Sequence, residues 1–196
     1  MTGLDLENDV IIEISCIITN GNLEVVDEKG WGAVIHQDKE TMDKMVGTPS
    51  PGAQAVLINF YLHNHLKSQD EWCTKTHAST GLTSEVLSST TTPAEAASSL
   101  LAYIKKYIPE PRRGLLAGNS VHADRAFLSK GPYKQVIDHL HYRILDVSSI
   151  KEAAKRWCDL DVLVGQPKKE GKHRGREDIE ESISEARYWK ERVFQK

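Results

Sequence analysis

The stretch HRGREDIEESI (residues 173–183) sets His173 and Asp178 five residues apart, the histidine in a charged loop and the aspartate where an amphipathic helix begins. That spacing lets the aspartate hold a metal ion from a rigid element while the histidine moves over a substrate as a general base. LLAGNSVHADRAFL (115–128) places a second carboxylate, Asp124, in the first turns of a helix that follows a short buried strand. Strand ends are where α/β sheets build their sites. HYRILDVSS (141–149) puts Arg143 on a strand and Ser148 at a helix N-terminus, a guanidinium and backbone N–H groups suited to holding a phosphate. Each pattern has a plainer alternative. A His and an Asp five apart arise by chance, Asp124 can be a helix-start residue stabilised by the dipole, Ser148 can be a cap, and Arg143 can pair with Asp146 or Asp138. The basic loop 167–176, with Lys168, Lys169, Lys172, Arg174 and Arg176, reads more readily as a solvated face than as a nucleic-acid track.

The elements that must position these residues come from one chain of 196 residues with 39% hydrophobic and 27% charged content, enough apolar material for a single ordinary core. A net charge of -3 and a pI near 6.2 exclude the global basic field that drives non-specific binding to long nucleic acids. Any polyanion must be met locally, by a few basic groups or by metal ions. Cys16, Cys73 and Cys158 are odd in number and widely spaced, which fits neither a disulfide framework nor a zinc site and suits a reducing compartment. The longest apolar run, Ala55 to Leu62, is too short to span a bilayer, so no membrane partner is expected.

Residues 10–19 (VIIEISCIIT), 23–26 (LEVV) and 31–36 (WGAVIH), separated by turn-like residues, predict an antiparallel meander. Thr92-Pro93-Ala94-Glu95 then offers a cap hydroxyl, a proline at the first helical position and a closing glutamate, followed by Leu100, Leu101 and Ile104 at helical spacing. Short strands at 115–117 and 142–147 are each followed by a helix, Val121 to Ser129 and Ser149 to Trp157, the latter opened by Ser149 with Glu152. A last helix is expected from Asp178 to Phe194 with Ile179, Ile183, Ala186 and Val193 on its apolar stripe. Strands followed by αβαβα predict an α/β sheet with helices on its faces.

Residues 46–69 fit nothing around them: they hold no Asp or Glu and a single Lys between charge-dense flanks. They read as an insertion in a single domain spanning 1–196, either a surface loop or an unspliced intron, since Val46 needs a codon beginning GT, Gln69 can be CAG, and the frame is kept.

Taken together, MTGLDLENDVIIEI, DEWCTKTHASTGLT, LLAGNSVHADRAFL, LHYRILDVSSIKEAAKRW and KHRGREDIEESISEARYWK closely resemble the oligoribonuclease family, 3′-to-5′ exoribonucleases of the DEDD superfamily with a final catalytic histidine. The resemblance covers essentially the whole chain apart from 46–69. It implies a ribonuclease H-like α/β fold, a mixed sheet with flanking helices, and a homodimer. It also implies two divalent cations, Mg²⁺ or Mn²⁺, and very short single-stranded RNA oligonucleotides as substrates. By the same resemblance Asp124, His173 and Asp178 are catalytic, with Asp124 and Asp178 as metal ligands. Leu4 and Trp72 wedge or stack against bases, a sequence-tolerant contact, while His77, Ser120, Arg143 and Ser148 close over the 5′ phosphate end, Arg143 from the neighbouring subunit. An intracellular location, mitochondrial or cytoplasmic, follows.

One departure matters. In the family a D-x-E pair lies immediately before M-T-G-L on the first, central strand, whereas here Asp5-Leu6-Glu7 follows that turn. The expectation is that Asp5 and Glu7 are loop residues and that the first strand is missing. A polypeptide of residues 1–196 is then expected to fold poorly or self-associate and to lack activity. Gly175-Arg176-Glu177, where the family reads A-L-D or A-M-D, leaves the spacing of His173 and Asp178 intact. The rival readings are a non-catalytic nucleic-acid-binding or dimerising relative, and a DEDD exonuclease acting on DNA or longer RNA.

Overall fold

The computed structural model describes residues 1–43, 77, 79–167 and 174–195. The chain forms two compact units, Met1–Glu13 with Val34–Thr92, and Ile14–Ala33 with Pro93–Lys196. The segment 46–69, Trp72, His173 and Lys168, Lys169 and Lys172 of the basic loop lie outside the described residues.

In the first unit, helices α1 (Lys39–Asp43) and α2 (Leu82–Ser88) contribute Met42, Leu82 and Val86 to a cluster closed by Ile12, Val10 and Val34. Gly81, at φ 78°, starts α2 with a backbone that residues bearing a Cβ seldom adopt. The loop MTGLDLEND is held by its own side chains: Thr2 N–H donates to Val10 O at 2.9 Å and Thr2 Oγ1 to Asp9 Oδ1 at 2.7 Å.

The second unit holds all but the end residues Glu13 and Val34 of strands β1 (Glu13–Cys16) and β2 (Trp31–Val34), which pair with each other, and holds β3 (Leu116–Gly118) and β4 (Ile144–Asp146), which pair in parallel. Between and after them come α3 (Pro93–Tyr107), α4 (Val121–Leu128), α5 (Lys134–His139), α6 (Val147–Trp157), α7 (Leu160–Val164) and α8 (Gly175–Trp189). Pro93 opens α3 as expected, and Ala96, Ala97, Leu100 and Ile104 form its buried face. Leu100 and Ile104 pack with Val136 and Leu140 against Ile14, Cys16, Trp31 and Leu116, so one core ties both strand pairs to α3 and α5. Burying each of these aliphatic side chains contributes roughly 1.5–3 kcal/mol. A second core joins Val147, Ala154, Ala186 and Trp189, fixing α8 against α6.

Several expectations change here. The meander reduces to one strand pair plus a single antiparallel bridge, Thr19 to Val25, so 23–26 is not a strand among the described residues. The Asn20 side chain accounts for this: its Oδ1 accepts the N–H groups of Asn22 and Glu24 and turns the chain before a ladder extends. Helix α6 begins at Val147 rather than Ser149, because Asp146, not a serine, caps it. Helix α8 begins at Gly175, and its buried positions are Ser182, Glu185, Ala186 and Trp189, a face rotated from the expected apolar stripe toward two polar side chains.

Candidate functional site

The register of β3 and β4 pairs Gly118 with Asp146, so the two strands end level and the residues that follow, Asn119-Ser120 and Val147-Ser148, leave the sheet side by side. Asp146 gathers them. Its Oδ1 accepts the backbone N–H of Ser148 and of Ser120, both at 3.0 Å, and its Oδ2 accepts His122 Nδ1 at 2.9 Å. The Asp146 side chain is only 9% exposed, against 70% for His122. Burial works to raise the Asp146 pKa, but the hydrogen bonds from His122, Ser148 and Ser120 outweigh it and hold the carboxyl below its ordinary value.

Ser120 takes the left-handed conformation, φ 52° and ψ 30°. For a residue other than glycine this costs on the order of 1–3 kcal/mol and persists only where the surroundings enforce it. Here they do: Ser120 N–H donates both to Asp146 and to Ser148 Oγ at 3.0 Å, and the two hydroxyl oxygens lie 3.2 Å apart. Ser148 Oγ donates in turn to Asn119 Oδ1 at 3.3 Å.

Asn119 carries the connection to α8. Its Nδ2 donates to Ser182 Oγ at 3.0 Å and to Glu185 Oε2 at 3.1 Å. Glu185 is 2% exposed, a carboxylate that is stable in such surroundings only when paired. Gln166 Nε2 and Trp189 Nε1 donate to its Oε1 at 3.1 and 3.3 Å, and Lys151 Nζ stands 3.5 Å away.

The two carboxylates singled out by spacing flank this network. Asp124 lies half-buried in the first turn of α4, and burial pushes its carboxyl above the ordinary value. Asp178 is exposed in the first turn of α8, its N–H donating to Arg174 O at 3.0 Å and its carbonyl accepting Ser182 Oγ at 2.7 Å. Ser182 therefore touches both Asn119 and the backbone of Asp178. The start of α8 is anchored by Arg176, whose Nη1 and Nη2 donate to the carbonyls of Lys29 and Glu28 at 2.6 and 2.7 Å and whose Nε donates to Glu180 at 2.8 Å. Gly30, at φ 62°, completes the turn that presents those carbonyls.

Arg143 is not on a strand. It precedes β4, exposed, with its guanidinium 4.7 Å from the centre of the Tyr142 ring, and Tyr142 stacks on His141 at 4.6 Å. Ser148 follows the other end of β4, so Arg143 and the cap at Asp146 stand about 10 Å apart along extended chain. Arg143 does not pair with Asp146 or Asp138, whose partners are His122 and Lys134.

In the first unit, Leu4 is 45% exposed and His77 Nε2 donates to Met1 O at 3.3 Å. Asp5 serves its own loop, accepting Glu7 N–H at 2.9 Å and Asn8 Nδ2 at 2.7 Å. Sequence reasoning passed over Asn119, His122, Glu185 and the capping role of Asp146. A polar residue directly after a short apolar strand was the available signal for Asn119. Glu185 gave none, because a carboxylate on a helix reads as solvated.

A family model described as Exonuclease matches residues 54–186. The Mus musculus protein named "Oligoribonuclease, mitochondrial" is 38% identical over the whole of this chain, which covers 71% of the mouse protein. The chain belongs to the oligoribonuclease family. Family relatives from Schizosaccharomyces pombe ("Probable oligoribonuclease") and Saccharomyces cerevisiae ("Oligoribonuclease, mitochondrial") are each 43% identical over 97% and 96% of the chain. The chain spans less than two thirds of their length, 64% and 63%. Its α/β architecture, helices flanking small sheets, is consistent with the ribonuclease H-like exonuclease fold.

Exonucleases of the oligoribonuclease family's superfamily generally depend on divalent metal ions. Among the described residues, no group of three or more His, Cys, Asp or Glu is placed to hold such an ion. Asp124 and Asp178 alone do not make up the donor set of a two-metal centre, in which several carboxylates share the ions. No helix among the described residues is long and apolar enough to cross a membrane.

Proposed function

We propose that this chain carries the exonuclease part of a 3′-to-5′ exoribonuclease acting on very short single-stranded RNA inside the cell. The observation that carries the proposal is the Ser120–Ser148 hydroxyl pair, 3.2 Å apart at the carboxyl ends of β3 and β4. Hydroxyls rotate, so both can turn their single O–H toward the oxygens of a terminal phosphate, Ser148 giving up its bond to Asn119 Oδ1 to do so. A group that grips the 5′ end and stands near the carboxylates leaves room for few nucleotides between, which favours short chains over long RNA or DNA. Asp124 and Asp178 are the carboxylates proposed to face divalent ions, Mg²⁺ or Mn²⁺, and His173 the residue proposed to take the proton from an attacking water. The roles of Leu4, Trp72 and His77 as substrate contacts are carried by the family resemblance alone.

Arg143 enters this reading from a second copy of the chain, a role carried by the family resemblance. Homodimerisation is therefore part of the proposal.

The test is hydrolysis of a 5′-phosphorylated diribonucleotide and of a 5′-phosphorylated 20-mer in Mg²⁺ or Mn²⁺. It uses this protein and its D124N variant. Mononucleotide release from the dinucleotide by the parent, abolished in D124N, is the expected result. No release by the parent, or equal kcat/KM on the 20-mer, would overturn the proposal.

A further inference from the structure

The hydroxyl pair does not hold itself. Ser120 and Ser148 belong to different elements, the turn into α4 and the first turn of α6, and their separation is set by what lies between their backbones. Beside the bond from Ser120 N–H to Ser148 Oγ, one atom bridges the two backbones: Asp146 Oδ1, which accepts both N–H groups at 3.0 Å. The other carboxylate oxygen is taken by His122 Nδ1 at 2.9 Å, so the carboxylate cannot turn away without breaking a third bond. Ser120 would leave its left-handed conformation if released, since that region is unfavourable for a side-chain-bearing residue.

We infer that Asp146 is a positioning residue for phosphate capture: it holds the Ser120 and Ser148 hydroxyls at the spacing that grips the substrate's 5′ phosphate, without touching the substrate. The inference rests on the reading of those serines given above. Its side chain is 9% exposed and three donors occupy its oxygens, so it acts through its neighbours. A carboxylate so close to a bound phosphate would repel it if bare; here three N–H donors, one from an imidazole, face the charge.

The structure also separates this role from helix capping. Serine is as good an N-cap as aspartate, so D146S keeps an acceptor for Ser148 N–H at the start of α6. It has one oxygen on a shorter arm, and cannot also hold Ser120 and His122. D146N keeps the shape of aspartate and an Oδ1 able to accept both N–H groups. The experiment is calorimetric titration of the 196-residue chain, in EDTA, with a 5′-phosphorylated diribonucleotide and with the same dinucleotide bearing a 5′ hydroxyl. The discrimination between the two ligands is the readout. In D146S it falls by about tenfold or more, the order expected for loss of a hydrogen bond to a charged group, while D146N stays within about threefold of the parent. Unchanged discrimination in D146S overturns the inference, provided S148A lowers it. If the parent shows no discrimination, or S120A and S148A both leave it intact, the phosphate reading of the serines fails instead and takes the inference with it. A D146S chain that loses cooperative thermal melting also counts against the inference, because serine preserves the cap and the aspartate would then be a scaffold residue.

Discussion

Asn119 donates through Nδ2 to Glu185 Oε2 at 3.1 Å, which fixes the end of β3 to a carboxylate buried on α8. Glu185 is surrounded by donors: Asn119, Gln166, Trp189 and Lys151 all face it. In E185Q one acceptor oxygen becomes an NH₂ group, and a buried donor is left against a donor. The expected loss is about 1–3 kcal/mol, read as a lower urea midpoint with an unchanged slope. A loss within about 0.5 kcal/mol, the range of ordinary surface changes, would show that the pairing around Glu185 is dispensable.

Asp124 and Asp146 respond to pH with opposite sign. Burial raises the folded-state pKa of Asp124, so ionising it costs stability; that cost is fully present above its folded pKa and vanishes below its unfolded value. D124N is therefore expected to melt higher than the parent at pH 7 without divalent ions, the gap closing as pH falls below about 4. The Asp146 pKa is held down, so its contribution is present above the unfolded value and is lost as pH falls through the folded one. Thermal melts from pH 7 to pH 3 check both. A D124N chain less stable than the parent at pH 7 contradicts the burial argument.

Two hydrogen bonds from Arg176 pin the first turn of α8 to the Glu28–Lys29 turn, and a third, to Glu180, holds its guanidinium in place. R176M is expected to speed amide hydrogen exchange over residues 175–180, the turn that carries Asp178, while costing only about 1 kcal/mol in global stability, as befits a half-exposed side chain. Exchange as slow as in the parent would mean that α8 is held by its Trp189 end alone.

Arg143 offers a test by mixing. R143A and S148A chains are each expected to bind the 5′-phosphorylated dinucleotide weakly. A refolded mixture is expected to recover up to about a quarter of the parental sites, the share that pairs an intact Arg143 with an intact Ser148 across the two chains of a dimer. No recovery in the mixture would place both residues in the same chain's site and contradict the proposed contribution of Arg143 from a second chain.

Local chemistry made much of this legible from sequence. Pro93 after Thr92 announced α3, the short runs 115–117 and 142–147 announced β3 and β4, and the carboxylates Asp124 and Asp178 stood out because each lies at the start of a helix. What escaped was chemistry made by pairing across distance. Asp146 looked like a partner for Arg143 because they are close in sequence, yet extended chain carries them to opposite ends of a strand. Glu185 looked solvated because nothing in a helix's own sequence tells that Asn119, 66 residues earlier, will meet it. The rotated face of α8 has the same origin: two polar residues lie inward because their partners, Asn119 and Gln166, lie just after β3 and just after α7.

The most direct test of the account is whether Ser120 and Ser148 recognise a terminal phosphate. Titrating the parent chain and its S120A/S148A double variant in EDTA with a diribonucleotide carrying either a 5′ phosphate or a 5′ hydroxyl isolates that one group. The account predicts that the parent prefers the phosphate by about tenfold or more and that the double variant binds both ligands alike. Equal binding of the two ligands by the parent, or an undiminished preference in the double variant, would contradict it.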